Sequence, residues 1–274
     1  MRVFEALCSQ ALDCLRSGPM PTIRQVYLPE PAPHSDRATE FGLIELSDGC
    51  AGLYYAWLGE GQSGMAERYS RQLPGLPLDA LLAPHRADDV AARSLAVAAL
   101  NALAAHVWSL TGFAVPAAQG GFGFELRAPG PLGMVGNFVP LVRHAQAAGI
   151  PVVVVERKAQ MWREEPGLKV TGDLHALAAC RQVICTAATL LNDSLDEVLS
   201  ALPPGAELAL VGPTASMLPD ILFQHGFSVV AGTAVRDVTA AMARLRGGES
   251  MGNAALKYAI AAARYPGTAQ LLGI

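Results

Sequence analysis

Apolar and polar positions follow two different rhythms along the chain, and the change comes near residue 131. The opening stretch MRVFEALCSQALDCL spaces its apolar residues as a helix does and predicts one over residues 1–17, stopped by Gly18, Pro19 and Pro21. IRQVYL is short and extended, and the three prolines of PEPAPHSD make a loop. FGLIELSDGCAGLYYAWL carries two β-prone runs around Ser47-Asp48-Gly49, whose Asp-Gly pair suits a hairpin turn. A polar, Gly-containing loop and short helical pieces follow, up to Ala83. DVAARSLAVAALNALAAHVWSL then predicts a long helix with Asp88 as N-cap, an end near Leu110 and Gly112 as its stop. It is apolar almost all round, the mark of a helix buried on several sides, with Asn101 and His106 as polar exceptions.

Residues 113–131 are rich in Gly and Pro and read as a linker, with an active-site loop as the rival reading. Beyond them LGMVG, PVVVVE, RQVICTA, AELALVG and FSVVAG read as five strands. The helices between them are NFVPLVRHAQAAG, DLHALAAC, SLDEVLSALPPG (capped by Asp193 or Ser194) and TASMLPDILFQHG (interrupted or started afresh near Pro219), and two helices close the chain. Short strands that are apolar on both faces and joined by helices predict a parallel sheet with right-handed crossovers. The expected fold is α/β: an N-terminal α+β domain over residues 1–112, a linker over 113–131 and a Rossmann-like parallel-sheet domain over 132–274.

Composition narrows the function classes. A chain of 274 residues fits one large domain or two modest ones. With 51% apolar and 16% charged residues it has a large core, and part of the apolar surplus could lie in a homo-oligomer interface. The net charge is −4, the arginines are scattered, and the only lysines are Lys158, Lys169 and Lys257, which argues against nucleic acid and against a polybasic membrane contact. Continuous apolar runs are short, such as Val152 to Val155, and the N-terminus carries Glu5 and Asp13, unlike a signal peptide. The cysteines (Cys8, Cys14, Cys50, Cys180, Cys185) are odd in number and form no CxxC, as expected of free thiols in a cytoplasmic protein.

In an open parallel sheet, ligands bind beyond the carboxyl ends of the strands. Those ends are Gly136-Asn137, Glu156, Cys185-Thr186, Gly212-Pro213-Thr214 and Gly232-Thr233. Gly133-Met-Val-Gly136 lacks the three glycines that admit a pyrophosphate, so a dinucleotide is disfavoured. Glu156 could ligate a metal, hold a ribose hydroxyl or act as a base; the plainer reading is a solvated strand end beside Arg157. Cys185 reads as a buried structural thiol rather than an activated one, with Thr186, Thr189 and Asn192 as a hydrogen-bonding floor. Gly212-Pro213-Thr214 with Ser216 suits either an anion at a helix start or ordinary capping. None of the six histidines falls in a zinc motif, though His34 could swing from its loop into an interdomain site.

The runs VGNFVPLVRHAQAAGIPVVVVE, VICTAATLLNDSLDEVL, LVGPTASMLPDILFQHG and VVAGTAVRD resemble the family named for putative heavy-metal chelation, over most of residues 130–250. The N-terminal likeness is looser and rests on the hairpin and on Asn101-Ala102. The resemblance implies an N-terminal domain like that of enolase, a Rossmann-like C-terminal domain and a site in the cleft between them. Residue by residue it points to Asn101, Gly136, Glu156, Thr186, Thr189, Asn192, Gly212, Pro213, Thr214 and Asp237, with Asn137 added as a strand-end neighbour. The turn TAATLLN departs from the family's Thr-Gly-Thr-Thr at Ala187 and Ala188, which narrows the loop. No carboxylate trio with a base Lys supports enolase chemistry.

Two expectations follow. In the first, the cleft handles a transition metal ion or a small-molecule metal chelate, with Glu156 as ligand; the lack of a His/Cys cluster fits a chelate that brings its own donors. In the second, an enzyme (a transferase or lyase) acts on a small phosphorylated or nucleotide-like substrate in the same cleft. A noncatalytic oligomeric scaffold, paired through a final helix MGNAALKYAIAAAR, is a third reading.

Overall fold

The computed structural model describes residues 1–16, 18, 20–29, 41–56, 69, 72–82, 90–118, 125–126 and 130–274. Asp88, His34, His85 and the glycines of the expected linker at 120, 121 and 123 lie outside the described residues.

The N-terminal region is one helix, a small sheet and one long helix. Helix α1 (Val3–Leu15) opens where Glu5 reaches back to accept from the Arg2 amide at 3.2 Å, satisfying a donor that a helix start leaves unpaired. Strands β1 (Ile23–Tyr27), β2 (Phe41–Leu46) and β3 (Ala51–Tyr55) form an antiparallel sheet in that order. The expected hairpin joins β2 to β3, with Gly49 at φ +88°, a conformation that costs glycine little. Helix α2 (Val90–Thr111) lies on β3. A Cβ on Gly52 would stand 2.1 Å from the Ala98 carbonyl oxygen and 2.3 Å from the Ala102 nitrogen, so only glycine lets the two backbones approach this closely. By length and hydropathy α2 would suffice to cross a bilayer, a possibility the short apolar runs had hidden, but 83% of its apolar window is buried within the protein.

The second region is an eight-stranded sheet. Its strands are β4 (Leu132–Val135), β5 (Val152–Val155), β6 (Arg163–Glu165), β7 (Leu168–Thr171), β8 (Gln182–Thr186), β9 (Glu207–Val211), β10 (Phe227–Val235) and β11 (Ala255–Ala261). The order across the sheet is β11-β10-β9-β8-β4-β5-β7-β6, with the six strands from β10 to β7 parallel and the two outer pairs antiparallel. Numbered along the chain, the parallel strands run 3-2-1-4-5-6, so the order reverses between β4 and β8, where such sheets open a crevice. Helices α3 (Val139–Ala147), α4 (Ala188–Leu191), α5 (Leu195–Ala201), α6 (Asp220–Gln224), α7 (Val238–Arg246) and α8 (Thr268–Leu272) complete the elements.

Two segments differ from the sequence reading. Residues 163–171 form a charged hairpin turned at Gly167, with φ +76°, rather than leading directly into a helix. The alanine-rich segment expected to close the chain as a helix is strand β11, flanked by single 3-10 turns. Tyr258 and Ile260 alternate inward along it, and β10 offers an open edge that pairs over Val229 to Val235; pairing and burial override alanine's helical preference. The helical face expected to meet a second copy therefore does not exist. The outer edge of β11 is partly covered by residues 116–118, which exchange hydrogen bonds with Lys257 and Ala259. One other expected helix is reduced to a 3-10 turn at Leu174–Ala179, while α6 starts at Asp220 directly after Pro219, where the sequence expects an interruption or a fresh start.

Both faces of the large sheet are covered, which is why its strands read as continuous apolar runs. Met134, Val154, Ile184 and Ala209 pack on Leu141, Val142 and Ala145 of α3. On the other face Val135, Cys185, Leu210 and Val230 belong to one buried cluster with Val3, Leu7, Leu95 and Leu103 of α1 and α2. A third cluster seats Ala241, Met242 and Leu245 of α7 on Leu43 and Leu53 of the small sheet. Arg93 ties these layers together. Its buried guanidinium lies 4.6 Å over the Phe4 ring and donates to Asp193 Oδ1 at 2.6 Å.

Candidate functional site

The expected site residues form a row, not a knot. Gly136 ends β4 at φ +90° and donates to the Val155 carbonyl; a Cβ there would stand 3.0 Å from Thr186 Cγ2, so these two residues close the floor of the strand-order reversal. Asn137 follows, half-buried, on the turn into α3. Glu156 is half-buried at the end of β5; its Oε1 accepts from the Lys158 amide at 3.0 Å and its carbonyl accepts from Trp162 Nε1 at 2.7 Å. Gly212, at φ +120°, and Pro213 end β9 half-buried, and Thr214 is buried behind them. Strand ends stand about 4.8 Å apart, so Glu156 on β5 and Gly212 on β9 are separated by about 14 Å, and Asp237, beyond β10, lies farther along the same edge.

Several of these side chains are occupied by their own turns. Thr186 Oγ1 accepts from the Ala188 amide at 3.3 Å, and buried Thr189 donates to the Thr186 carbonyl at 2.6 Å. Asn192 Oδ1 accepts from the Ser194 amide and hydroxyl, and Asp237 accepts from the Ala240 amide as the N-cap of α7. The side chain of neither Asp193 nor Ser194 caps α5; Asp193 sits at φ +60° and pairs with Arg2 and Arg93 instead. The Gly212 turn opens no helix, and Ser216 is spent on the Pro213 and Thr233 backbone. Cys185 is buried as expected, and burial pushes its thiol up to about 12.

Asn101 is where the N-terminal region meets this edge. Its Nδ2 donates to the Leu53 carbonyl at 2.7 Å and to the Thr214 carbonyl at 3.0 Å, while its Oδ1 is buried without a partner. A buried acceptor left unpaired is rare and marks a place where a donor belongs.

The structure brings together a second set of residues that the sequence reading did not join. At the tip of the β2–β3 hairpin, Asp48 Oδ2 lies 2.6 Å from His106 Nδ1, and Asp48 Oδ1 accepts from the Cys50 amide at 3.0 Å. One donor atom from each of Asp48, Cys50 and His106 falls within 4.8 Å of the other two. The expectation that no His/Cys cluster exists is therefore corrected: it held for sequence motifs only. Burial works to raise the Asp48 carboxyl, but hydrogen bonds from His106 and the Cys50 amide outweigh it and hold the group below its usual value. Burial, reinforced by the Asp48 charge, pushes the Cys50 thiol up to about 12. The one sequence signal was His106 itself, a polar residue in an apolar helix. Ala98, Ala102 and His106 lie in one i, i+4 row; with Gly52 seated on the first two, His106 is carried one turn further, to the hairpin tip.

Comparison with known proteins identifies the chain. The family described as "Putative heavy-metal chelation" matches residues 121–263, more than half of the sequence. The chain belongs to this family. An uncharacterised protein of Methanocaldococcus jannaschii is 28% identical over 159 residues, 58% of this chain and 60% of that protein, so the match spans less than two thirds of that relative. A family member of unknown function from Pyrococcus horikoshii superposes with a TM-score of 0.69 at 17% identity, covering 95% of this chain and 100% of that one. Another, from Desulfitobacterium hafniense, gives 0.69 at 19% identity over 94% and 99%. At these identities the likeness is one of fold: a large, mostly parallel sheet with a small antiparallel one. The stretch matched to the heavy-metal chelation family holds every expected edge residue except Asn101, and it excludes Asp48, Cys50 and His106.

Proposed function

We propose that the protein binds a transition metal, as the ion or as a small-molecule chelate, at the carboxyl edge of its large sheet. The observation that carries this reading is membership of the heavy-metal chelation family, whose matched stretch spans the whole edge from Gly136 to Asp237. The strand order supports reading residues 132–274 as a Rossmann-like domain; on the resemblance alone, residues 1–112 are an enolase-like N-terminal domain, with 113–131 between the two. Glu156 is the ligand on this reading. Gly136, Asn137 and the Thr186 turn form the floor, the Gly212 turn forms one wall, and buried Asn101 holds that wall in place through the Thr214 carbonyl. Most other side chains of the row are already hydrogen-bonded, which suits a chelate that arrives with its own donors and needs shape and a few contacts.

Elemental mass spectrometry on untagged protein, purified without chelators, tests this. A metal or co-purified chelate content that falls by about one equivalent on Glu156→Gln is expected. Full retention in Glu156→Gln removes Glu156 from the site.

One observation favours the second reading, an anionic or phosphorylated substrate: no side chain caps the start of α3 just after Gly136, although Pro140 has no N–H and Leu141 and Val142 donate to the Phe138 carbonyl, so that of the first helical residues only Val139 can offer an amide there. Protection from thermal unfolding by inorganic phosphate or nucleotides, with no metal bound, would select it.

A further inference from the structure

We propose that Asp48, Cys50 and His106 form a metal site of their own, a three-donor seat for a late first-row divalent ion such as zinc(II), apart from the sheet edge. The inference rests on the metal-handling reading for its physiological meaning, but its geometry stands alone. The three donor atoms lie within 4.8 Å of one another, close enough for side-chain rotation alone to bring them onto bonds of about 2.0–2.3 Å to a single ion that replaces the His106–Asp48 hydrogen bond. An imidazole, a thiol and a carboxylate together suit borderline ions such as zinc, cobalt and nickel, and exclude calcium and magnesium, which take oxygen donors.

The frame around the donors is built. Gly49 and the Asp48 to Cys50 hydrogen bond hold the turn, and the Gly52 contact with Ala98 and Ala102 locks helix to hairpin. Cys50 is also the exception among the cysteines: Cys8, Cys14, Cys180 and Cys185 are buried, whereas Cys50 is partly exposed. Asp48 faces solvent at the turn, so the fourth position opens outward, to water or to a donor from an incoming chelate. Protons balance simply. The Cys50 thiol proton leaves to solvent, and neutral His106 carries its proton on Nε2 while Nδ1 binds the ion.

The test is a cobalt(II) titration of the full chain, stripped of metal and reduced, followed through thiolate-to-cobalt charge-transfer absorption. One equivalent with a thiolate band is expected. Cys50→Ser, which keeps the packing, should abolish the band. His106→Ala should weaken binding by more than about 100-fold, because even changes to groups that only orient a ligand cost about 10–100-fold. Far-UV circular dichroism confirms that each variant is folded. Cobalt bound without a thiolate band, or a band that survives Cys50→Ser, overturns the hairpin site and leaves the metal reading of the edge standing. Failure to bind cobalt or zinc overturns the hairpin site alone, since the edge is judged by the metal content of Glu156→Gln.

Discussion

The carboxyl edge of the large sheet and the tip of the small hairpin are opposite kinds of site. The edge is a row of strand ends in which glycines, hydroxyls and two carboxylates, Glu156 and Asp237, are spread over about 14 Å or more, and many of their polar atoms serve their own turns. The tip is compact: three ionisable side chains from two elements meet within 4.8 Å. Topology alone makes the edge, because a reversal of strand order opens a crevice wherever it occurs. Packing alone makes the tip, because His106 arrives there only when α2 seats on β3. A topological site can therefore be read from strand grammar, whereas a packed site needs the contact itself.

The contact that makes the tip is also its weakest point. Gly52→Val drives a side chain into the Ala98 and Ala102 backbone, which cannot step aside. It should cost about 3 kcal/mol in urea unfolding and remove cobalt from the hairpin in whatever folded protein remains. A neutral result would mean that α2 and the small sheet do not need this close approach.

Asn101 joins the two regions, and breaking it should come next in size. Asn101→Leu leaves the buried Leu53 and Thr214 carbonyls without their donor, for about 2 kcal/mol. The ligand of the edge should also be lost while the hairpin keeps its cobalt. Loss of cobalt together with stability would show that tip and edge are one cooperative unit.

Gly136→Ala tests the edge alone. Its φ of +90° disfavours any side chain and the new Cβ would press on Thr186, which should cost about 1–2 kcal/mol. The hairpin is untouched by this change, so metal bound at the tip should be unaffected.

The smallest effect is a pH dependence. The Asp48 carboxyl is held below its usual value in the folded protein. Its stabilising contribution is therefore present above the unfolded value, about 3.9, and is lost as pH falls through the folded one. In metal-free protein, the gap in thermal midpoint between wild type and Asp48→Asn should be widest near neutrality and close below about pH 4. A gap that stays constant to pH 3 would mean that the carboxylate is not held by His106 and the Cys50 amide.

Much of the second half was legible because its strands carry their own evidence. LGMVG, PVVVVE, RQVICTA, AELALVG and FSVVAG are all strands, since a run buried on both faces has no polar alternation to confuse with a helix. The hairpin at Asp48-Gly49 and the stop at Gly112 were equally readable, as both depend on positive φ at a glycine. MGNAALKYAIAAAR misled because alanine favours a helix locally, while the open edge of β10 decides otherwise. The hydroxyls of Thr189 and Ser216 suggested a ligand surface, but the structure turns them inward to backbone partners.

By itself, the sequence determined the alternation of strand and helix, the turns that need glycine, the burial of the long helix and the family. These follow from short-range patterns of polarity and backbone freedom. Only the tertiary structure decided that the strands run 3-2-1-4-5-6, that the last alanine-rich segment is an edge strand, and that Asp48 and Cys50 meet His106. Each of those depends on which surfaces find each other, and that is set by burial and close approach between distant segments, not by any local pattern.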